Sequence, residues 1–441
     1  MPPSTVGFEP QEIESVSRTH TIVIGAGIIG VSCAYYLAKR GHRVTLIDKG
    51  EIGSGASFGP AGIIAVGHPP MPRPGLVRQT LRWMFDGSSP LYVPPRLDLD
   101  LWRWLWKFSR ACTPKHEAYC MEFLGKLGAQ AGACFETIVS EADIPCDYRP
   151  CGWLEVFRSE EGQRRGEHDA QLLRRYNFDV DVLSGDEVRD REPMLKPGVV
   201  GALHYVQSAI ADPHQFLVKL AEQAQRHGAR LLVNTELRRI VLSNGRFVGV
   251  CTRDTDQIDA DTIVLAAGPW TTKLAASIGL DIPMQPGKGY HRNITRPDPC
   301  LSTACVLAEG YIAVTPMSGF LRLSGTVEFS GMNHRLVTRR LNMLSNAANV
   351  FLEGIDQSQT ISEWCGLRPC TADGLPVVGW APNLQGVFIA TGHARMGFTL
   401  GPVTGKLVAE SILDGTPSID LTPLRVDRFA PRRHRRTLAR A

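Results

Sequence analysis

The chain has 441 residues, of which 43% are hydrophobic and 21% charged, a balance typical of a soluble globular protein with about two or three domains. Its formal net charge of +4 is too small, and its charges too mixed, to indicate a nucleic-acid-binding protein. The 11 cysteines are an odd number at scattered positions, which favours reduced thiols and a cytoplasmic protein. The C-x4-C pairs among them lack the further cysteine of an iron–sulfur run, so we expect no metal site.

Both ends of the chain differ in composition from the rest. Residues 1–20 lack the apolar stretch of a signal peptide, and we predict a disordered leader. Residues 426–441 include the basic run RFAPRRHRRTLARA, for which we expect a solvated tail, with contact to a membrane or a partner as the alternative. Residues 22–38 carry no charge, but they are fewer than the ~20 that a membrane span needs. A buried strand and helix fit this segment better.

The segment 21–50 is typical of a nucleotide-binding unit. The short apolar run at residues 22–24 predicts a buried parallel strand, and Gly25, Gly27 and Gly30 then form a G-x-G-x-x-G turn. These glycines allow a tight turn, a close approach to a diphosphate and close packing of the next helix, which we predict at residues 28–40. A second strand at 44–47 ends at Asp48, whose carboxylate could accept hydrogen bonds from ribose hydroxyls.

The loop that follows favours FAD over NAD. Residues 53–62 read GSGASFGPAG, so a second set of glycines and serines stands directly after the ribose acid. Such a loop could hydrogen-bond the diphosphate and let the backbone pass close to a flavin, whereas an NAD domain would continue with another crossover helix. A flexible linker is the alternative interpretation.

The remaining chain alternates between helical and strand patterns. Residues 67–95 read as a long connection, and 101–142 as helices whose tryptophans pack or form an exposed patch. Asp212 followed by Pro213 starts a helix that ends near residue 227, and Asn244-Gly245 centres a hairpin over 238–252. Further elements are predicted as follows: strands at 151–157, 201–206, 231–234, 258–266 and 386–390, sheet at 283–325, and helices at 332–355 and 401–413. Nucleotide-binding elements thus recur in three separate segments, which predicts two interleaved domains with the ligand between them.

Seven segments together resemble one known family. They are IVIGAGIIG, GASFGPAG, IVLAAGPW, PGKGYHRNI, GYIAVTP, GLRPCTADGLPVVG and ATGHARMGFTLGPVTGK, in this order along almost the whole chain. The sequence resembles the FAD-dependent glycine and D-amino-acid oxidase superfamily, and most closely its D-amino-acid dehydrogenase branch. The resemblance implies an α/β fold in which a glutathione-reductase-like Rossmann domain for FAD is interleaved with a mixed-sheet α+β substrate domain.

We assign the domains accordingly. The FAD-binding domain takes residues 21–85, 198–282 and 356–425, and the substrate domain takes 86–197 and 283–355. The resemblance implies a set of residues around the cofactor: Gly25, Gly27, Gly30, Asp48, Lys49, Ser54, Ser57, Gly62, Ala267, Gly268, Gly392, Gly397 and Thr399. The GHARMG turn would place backbone N–H groups and a helix N-terminus beside the flavin, where negative charge develops on reduction.

The resemblance also implies the catalytic residues. Arg368 matches the arginine that holds the substrate carboxylate in the family. This role suits arginine because its guanidinium fork fits a carboxylate and keeps its charge. Tyr311 matches a tyrosine of the substrate pocket. Tyr290 lies at a family-like position with a less defined role, and His393 is either an acid–base group or a structural contact to the flavin.

The expected reaction is oxidation of the C–N bond of a D-amino acid, including D-proline or hydroxyproline, by hydride transfer to flavin N5. Hydrolysis of the imine follows, as in amino acid catabolism. Electrons would leave to a quinone, a partner protein or oxygen, and the protein would be cytoplasmic or peripheral on the inner membrane. An oxygen-using oxidase of glycine, sarcosine or other N-substituted amino acids is the alternative, as is a flavin subunit of a multi-subunit dehydrogenase. Pro60 replaces an asparagine common in the branch, which leaves the acceptor and substrate size open.

Overall fold

The computed structural model describes residues 19–67, 69–83 and 89–430, without the side chains of residues 79–82. The predicted leader, except for its last two residues, and the basic tail beyond residue 430 lie outside this part of the chain. The helices are α1 Ile28–Lys39, α2 Leu76–Trp83, α3 Leu99–Ala111, α4 Pro114–Glu141, α5 Glu160–Arg174, α6 Gly185–Arg191, α7 Pro213–Arg226, α8 Thr271–Ala276, α9 Thr338–Phe351 and α10 Gly397–Leu413.

The strands alternate with these helices along the chain. They are β1 His20–Ile24, β2 Arg43–Ile47, β3 Ile63–Ile64, β4 Leu91–Tyr92, β5 Trp153–Phe157, β6 Val180–Ser184, β7 Gly201–Tyr205, β8 Ala209–Ile210, β9 Arg230–Leu232, β10 Leu237–Ser243, β11 Arg246–Thr252, β12 Ile258–Asp259, β13 Thr262–Leu265, β14 Met284–Ile294, β15 Ala304–Leu307, β16 Ile312–Met317, β17 Phe320–Glu328, β18 Thr360–Thr371, β19 Val377–Trp380 and β20 Val387–Thr391. The predicted mixed α/β fold class is confirmed.

A six-stranded sheet forms the nucleotide-binding half. Its order is β19-β20-β13-β1-β2-β9, and every pair except β19–β20 is parallel. Because β1 lies between β13 and β2, the carboxyl ends of these three strands meet at one edge, where ligands of open α/β sheets bind. Helices α1, α7 and α10 pack against one another over this sheet and bury the largest apolar core.

A nine-stranded mixed sheet forms the other half. Its main path is β18-β14-β17-β16-β15-β5-β7-β6, and β4 adds to β17. Strands β14 and β18 pair antiparallel over their full lengths, and they carry the segments PGKGYHRNI and GLRP side by side. Strands β7 and β18 belong to this sheet, although the predicted domain division places both in the FAD-binding part. That division stays a prediction.

Local signals for turns and caps are confirmed. Asp212 accepts hydrogen bonds from the N–H groups of His214 and Gln215, both at 2.9 Å, and so caps α7. Asn244 and Gly245 have φ values of 49° and 77°, as a two-residue hairpin turn between β10 and β11 requires.

Other predictions needed correction. Helix α2 and strand β4 interrupt the segment 67–95, which was expected to be a connection. The strand predicted at 258–266 is two strands, because residues 258–259 pair with β11 and 262–265 join the six-stranded sheet. Among the tryptophans of α3, Trp104 is buried, whereas Trp102 and Trp106 are 51% and 59% exposed. No helix in the described ranges is long and apolar enough to cross a membrane.

Candidate active site

One cavity of about 1240 Å³ is lined by residues of both large sheets. Its volume exceeds the ~300–1,000 Å³ of pockets for drug-sized ligands, so it can take a dinucleotide together with a small substrate. Most of the predicted site residues line it: Gly25, Gly27, Asp48, Lys49, Ser54, Ser57, Gly62, Ala267, Gly268, Tyr290, Tyr311, Arg368, His393, Gly397 and Thr399. The cavity therefore joins the nucleotide-binding edge to the segment around Arg368.

Two of the predicted cofactor glycines, Gly30 and Gly392, lie outside the cavity lining. A Cβ at Gly30 would collide with the carbonyl oxygen of Gly25, so this glycine allows α1 to pack closely on the turn. Gly392 has φ of 79°, and a Cβ there would lie 2.5 Å from the Thr371 side chain. Both glycines support the site through packing.

The turn after β1 is built around Asp48. Gly25 has φ of 110°, and a Cβ on it would lie 2.6 Å from the Ala266 carbonyl oxygen. Asp48 accepts the N–H of Ala26 at 2.6 Å through Oδ2 and the N–H of Gly50 at 2.8 Å through Oδ1. Each carboxylate oxygen can accept a second hydrogen bond, so Asp48 can fix the turn and still receive ribose hydroxyls.

The second glycine-rich loop lies against the N-terminus of α1. Gly27 offers no side-chain cap there, and the N–H of Ile28 donates to Ser57 Oγ at 3.0 Å. The Lys49 ammonium sits over the Trp270 ring, 4.4 Å from its centroid, and both side chains line the cavity. A helix N-terminus without a side chain at its N-cap residue, together with hydroxyl groups and a lysine, suits the diphosphate of FAD.

Two buried side chains, those of His291 and Arg322, anchor this loop, and sequence reasoning missed both. His291 Nδ1 is 2.9 Å from the Gly59 carbonyl oxygen, and Arg322 donates to the Pro60 carbonyl oxygen at 2.9 Å. Burial, helped by the charge of Arg322, lowers the pKa of His291 to about 4, so this imidazole is neutral and donates to Gly59. Proline at position 60 keeps the carbonyl that Arg322 binds. No local pattern marks Arg322, since it meets the loop only through tertiary packing.

A second helix N-terminus opens on the cavity at the GHARMG turn. Ala394 takes φ of 47°, and α10 starts at Gly397 without a side-chain cap. His393 Nε2 lies 2.9 Å from Thr404 Oγ1, and Nδ1 has no partner among the described residues. Burial lowers the pKa of His393 to about 3, so its imidazole is neutral near neutral pH. A free nitrogen and a positive helix end fit the polar edge of a flavin.

Arg368 stands on β18 with its guanidinium over Gly289 of β14. A Cβ at Gly289 would lie closer than 3.0 Å to three guanidinium atoms, so only glycine leaves this space. Arg368 Nη1 donates to the Thr326 carbonyl oxygen at 3.0 Å, its one hydrogen bond to the described residues. Burial lowers the pKa of the guanidinium, and no carboxylate among the described residues forms an ion pair with it.

Thr326 holds an unusual backbone conformation to make that contact. Its φ is 57°, which is rare and strained for a β-branched residue. The pairing of β14 with β17 shifts register between Lys288 and Tyr290, opposite this residue, so a bulge turns the Thr326 carbonyl towards Arg368. Neither Gly289 nor Thr326 was predicted as a site residue, because both depend on how distant strands pair.

Tyr290 and Lys288 belong to a buried ionic cluster around Glu328. Tyr290 donates its hydroxyl to Glu328 Oε2 at 2.7 Å, and Lys288 Nζ is 3.2 Å from Oε1. Burial and the adjacent carboxylate raise the pKa of Tyr290. Burial alone would raise the pKa of Glu328, but hydrogen bonds from Ser330, Tyr290 and Lys288 lower it. The Tyr290 ring lines the cavity while its hydroxyl is bound to Glu328, so a role in shaping the pocket fits better than a polar contact to substrate.

Tyr311 lies beside Gly325 of β17, in the same sheet as Arg368. It precedes β16 with φ of 53°, is 42% exposed and packs edge-on against Trp83 at 5.3 Å between ring centroids. Its side chain lines the cavity. The structure thus brings Tyr311, Arg368 and His393 to one cavity with the nucleotide-binding turn.

Comparisons with known proteins agree with this geometry. Residues 20–411 match the family model described as FAD dependent oxidoreductase (DAO). The D-amino acid dehydrogenase of Bradyrhizobium diazoefficiens is 33% identical over 93% of this chain and 99% of its own length, and that of Rhodopseudomonas palustris is 32% identical over 92% and 97%. The glycine oxidase structure from Geobacillus kaustophilus superposes with a TM-score of 0.77 at 26% identity, covering 94% of this chain and all of that one.

The expected cofactor and fold are therefore confirmed. The glycine turn, the Asp48 carboxylate and the N-termini of α1 and α10 around one large cavity fit FAD, and the family match covers every one of these elements. This chain belongs to the DAO family of FAD-dependent oxidoreductases.

Proposed function

We propose that the chain oxidises the C–N bond of D-amino acids, and that Arg368 holds the substrate carboxylate. The observation that carries this proposal is the Arg368 guanidinium, which lines the same cavity as the nucleotide turn and has only the Thr326 carbonyl as an acceptor among the described residues. A buried guanidinium without a carboxylate is costly. A substrate carboxylate would form a bidentate pair with it and remove that cost.

The protein contributes orientation and charge placement to the reaction. FAD, when bound, supplies the two-electron acceptor for the substrate Cα–H bond. Arg368 and Gly289 would fix the carboxylate end of the substrate, and Tyr311 would form part of the pocket wall. Positive charge from Arg368 also favours the neutral form of the substrate amine, which is the form that can be oxidised. His393, which is neutral and bound to Thr404, would position the flavin edge rather than exchange protons.

The residues proposed to contact the cofactor line the same cavity. We propose that Asp48 binds the adenosine ribose, and that Ser54, Ser57 and Lys49 contact the ribose and diphosphate region. Backbone atoms at Ala267, Gly268, Gly397 and Thr399 would border the flavin. All of these residues line the one cavity, which supports their assignment to a single cofactor.

The relatives bear on the stereochemistry of the substrate and on the electron acceptor. Relatives named D-amino acid dehydrogenase favour a D-amino acid, including D-proline or hydroxyproline, and an acceptor other than oxygen. The superposition on glycine oxidase favours glycine or an N-substituted amino acid with oxygen as the acceptor, and this is the second candidate. A flavin subunit of a larger dehydrogenase would not turn over as an isolated chain.

The surface of α3 supports a membrane-bound acceptor such as a quinone. Trp102 and Trp106 are more than half exposed on a helix that also carries Arg103, Lys107 and Arg110. Exposed aromatic residues beside basic ones are typical of helices that lie on anionic membranes. We propose a cytoplasmic protein that docks through α3 on the inner membrane. Sedimentation with anionic vesicles should fall in Trp102→Ser/Trp106→Ser, and unchanged sedimentation would exclude this surface.

A substrate panel tests the proposed function. Purified holoprotein should oxidise D-amino acids with a dye acceptor under nitrogen. Arg368→Gln should lower kcat/KM for all of them by an amount that corresponds to roughly 2–4 kcal/mol of transition-state stabilisation, as expected for a lost buried charge pair. Arg165→Gln, at an exposed position of α5, is the matched control. Rapid peroxide formation from glycine or sarcosine in air would favour the second candidate instead. Unchanged kinetics in Arg368→Gln would remove the role of Arg368.

A further inference from the structure

The cavity continues beyond Arg368 into a region that the proposed reaction does not use. Six residues define it, and we call it the distal end: Arg73, Trp153, Glu155, Asp169, Tyr205 and Arg395. They come from the loop before α2, from β5, α5 and β7, and from the turn before α10. In this part of the cavity the guanidinium groups of Arg73 and Arg395, with that of Arg368 beside them, meet the carboxyl groups of Glu155 and Asp169.

Both carboxyl groups of the distal end already have partners. Asp169 Oδ2 is 2.8 Å from Arg73 Nη1 in an ion pair. Glu155 Oε2 accepts the Tyr205 hydroxyl at 2.8 Å, and burial raises the pKa of Glu155, which disfavours its negative charge. The protein therefore leaves positive charge uncompensated in this part of the cavity.

Arg395 carries that uncompensated charge. Its side chain is accessible from the cavity, and its hydrogen bond to the described residues is a long one, 3.4 Å, to the Pro69 carbonyl oxygen. No carboxylate of the described chain lies within ion-pair distance of it. Its enclosure by the cavity, together with the charges of Arg73 and Arg368, lowers the pKa of Arg395, but a guanidinium keeps its charge near neutral pH and would gain from an anionic ligand.

Arg395 and Arg368 lie on neighbouring segments. An isolated antiparallel bridge joins Cys370 to His393, and each arginine stands two residues from that bridge on its own segment. The turn 394–396 that carries Arg395 packs against β18, and the coupling of the two positive charges agrees with this placement. A small ligand held by Arg368 can therefore reach Arg395 with a second group.

We infer that Arg395 binds a second anionic group of the substrate, so that the substrate class is a D-amino acid with a side-chain carboxylate. The inference rests on the proposed function, since it assumes that Arg368 holds the α-carboxylate. The distal end then discriminates between substrates. A side-chain carboxylate would pair with Arg395, whereas the corresponding amide would leave this guanidinium without an anion.

Kinetics with isosteric substrates test the inference. In the holoenzyme, kcat/KM for D-aspartate and D-glutamate should exceed that for D-asparagine and D-glutamine by on the order of 30-fold, as for a buried charge pair. Arg395→Gln should abolish this ratio with little loss for the amides, Arg395→Lys should restore part of it, and Arg165→Gln should leave it unchanged. An equal loss for acids and amides in Arg395→Gln would mean that both arginines hold the same carboxylate, and would overturn the inference.

A binding measurement separates this inference from the proposed function. Succinate should perturb the visible flavin spectrum of the holoenzyme at a concentration about 30-fold lower than its monoamide succinamate, and Arg395→Gln should equalise the two. If neutral D-amino acids reduce the flavin but succinate and succinamate bind equally, the inference fails while the proposed function stands. If no amino acid reduces the flavin, the proposed function fails, and the succinate comparison still decides whether Arg395 forms an anion site.

Discussion

Gly289→Ala should impair catalysis without unfolding the protein. Gly289 faces the guanidinium of Arg368 across the β14–β18 pair, and an added Cβ would lie within 3.0 Å of three of its atoms. To reach an ordinary contact of 3.4 Å, the guanidinium would have to retreat by more than about 1 Å. A misplacement of ~1 Å in a group that orients substrate costs about 100-fold in rate, which corresponds to about 2.7 kcal/mol of transition-state stabilisation.

Steady-state kinetics and two controls check this prediction. The variant should keep its FAD content and its Tm to within a few degrees, since the displaced atoms are the mobile end of a long side chain, while kcat/KM for every amino acid substrate falls about 100-fold. Gly132→Ala on α4 is the matched control, because its Cβ would meet the Val66 side chain at an ordinary 3.4 Å. If Gly289→Ala retained its activity to within about threefold, Arg368 could not be the group that orients the substrate.

Three further variants probe the cofactor turn, the buried histidine and the ionic cluster. Asp48→Asn removes a charged acceptor of two backbone N–H groups. Hydrogen bonds to a charged group contribute about 1.5–3 kcal/mol, so the Kd for FAD, measured by fluorescence titration, should rise about 10- to 100-fold. An unchanged Kd would contradict the role of Asp48. Because the pKa of His393 is lowered from 6.5 to about 3, the unfolded state binds more protons below pH 6.5, so wild-type stability should fall by about 2 kcal/mol by pH 5 from this residue alone. Denaturant titrations of His393→Gln should show a shallower decline, and parallel curves would refute the assignment. Glu328→Gln leaves the Lys288 ammonium buried without its carboxylate and should lower the unfolding free energy by about 3 kcal/mol. The control Glu122→Gln, on the surface, should change the unfolding free energy by less than ~0.5 kcal/mol. Equal effects of the two substitutions would rule out a buried ion pair.

The parts of the site that lie within one short segment were predictable from the sequence. Gly25 and Asp48 follow consecutive strands, and a strand–turn–helix pattern fixes their places at the sheet edge whatever the rest of the chain does. Arg368 was found through the resemblance, on the segment GLRP, rather than from its spacing. The structure places all three in one cavity.

The parts that depend on pairing between distant segments were not predictable. Gly289 matters only because β14 pairs with β18, and Thr326 only because a bulge in β17 turns its carbonyl towards Arg368. Arg395 looked like one residue of a flavin-binding turn, since Arg73 and Glu155, which interact with it electrostatically, come from elsewhere in the chain. In each case the local sequence is compatible with many surroundings, and tertiary packing selects one.

Anaerobic reduction of the bound flavin tests the central claim most directly. Holoprotein would be mixed, without oxygen or dye, with both enantiomers of alanine, proline and glutamate, and its visible flavin absorbance followed over time. The D-enantiomers should bleach the flavin in wild-type protein, and Arg368→Gln should slow bleaching at a given low substrate concentration by at least about 30-fold. Bleaching by none of these amino acids, or equal bleaching in wild type and Arg368→Gln, would contradict the assignment of a D-amino acid oxidoreductase that holds its substrate through Arg368.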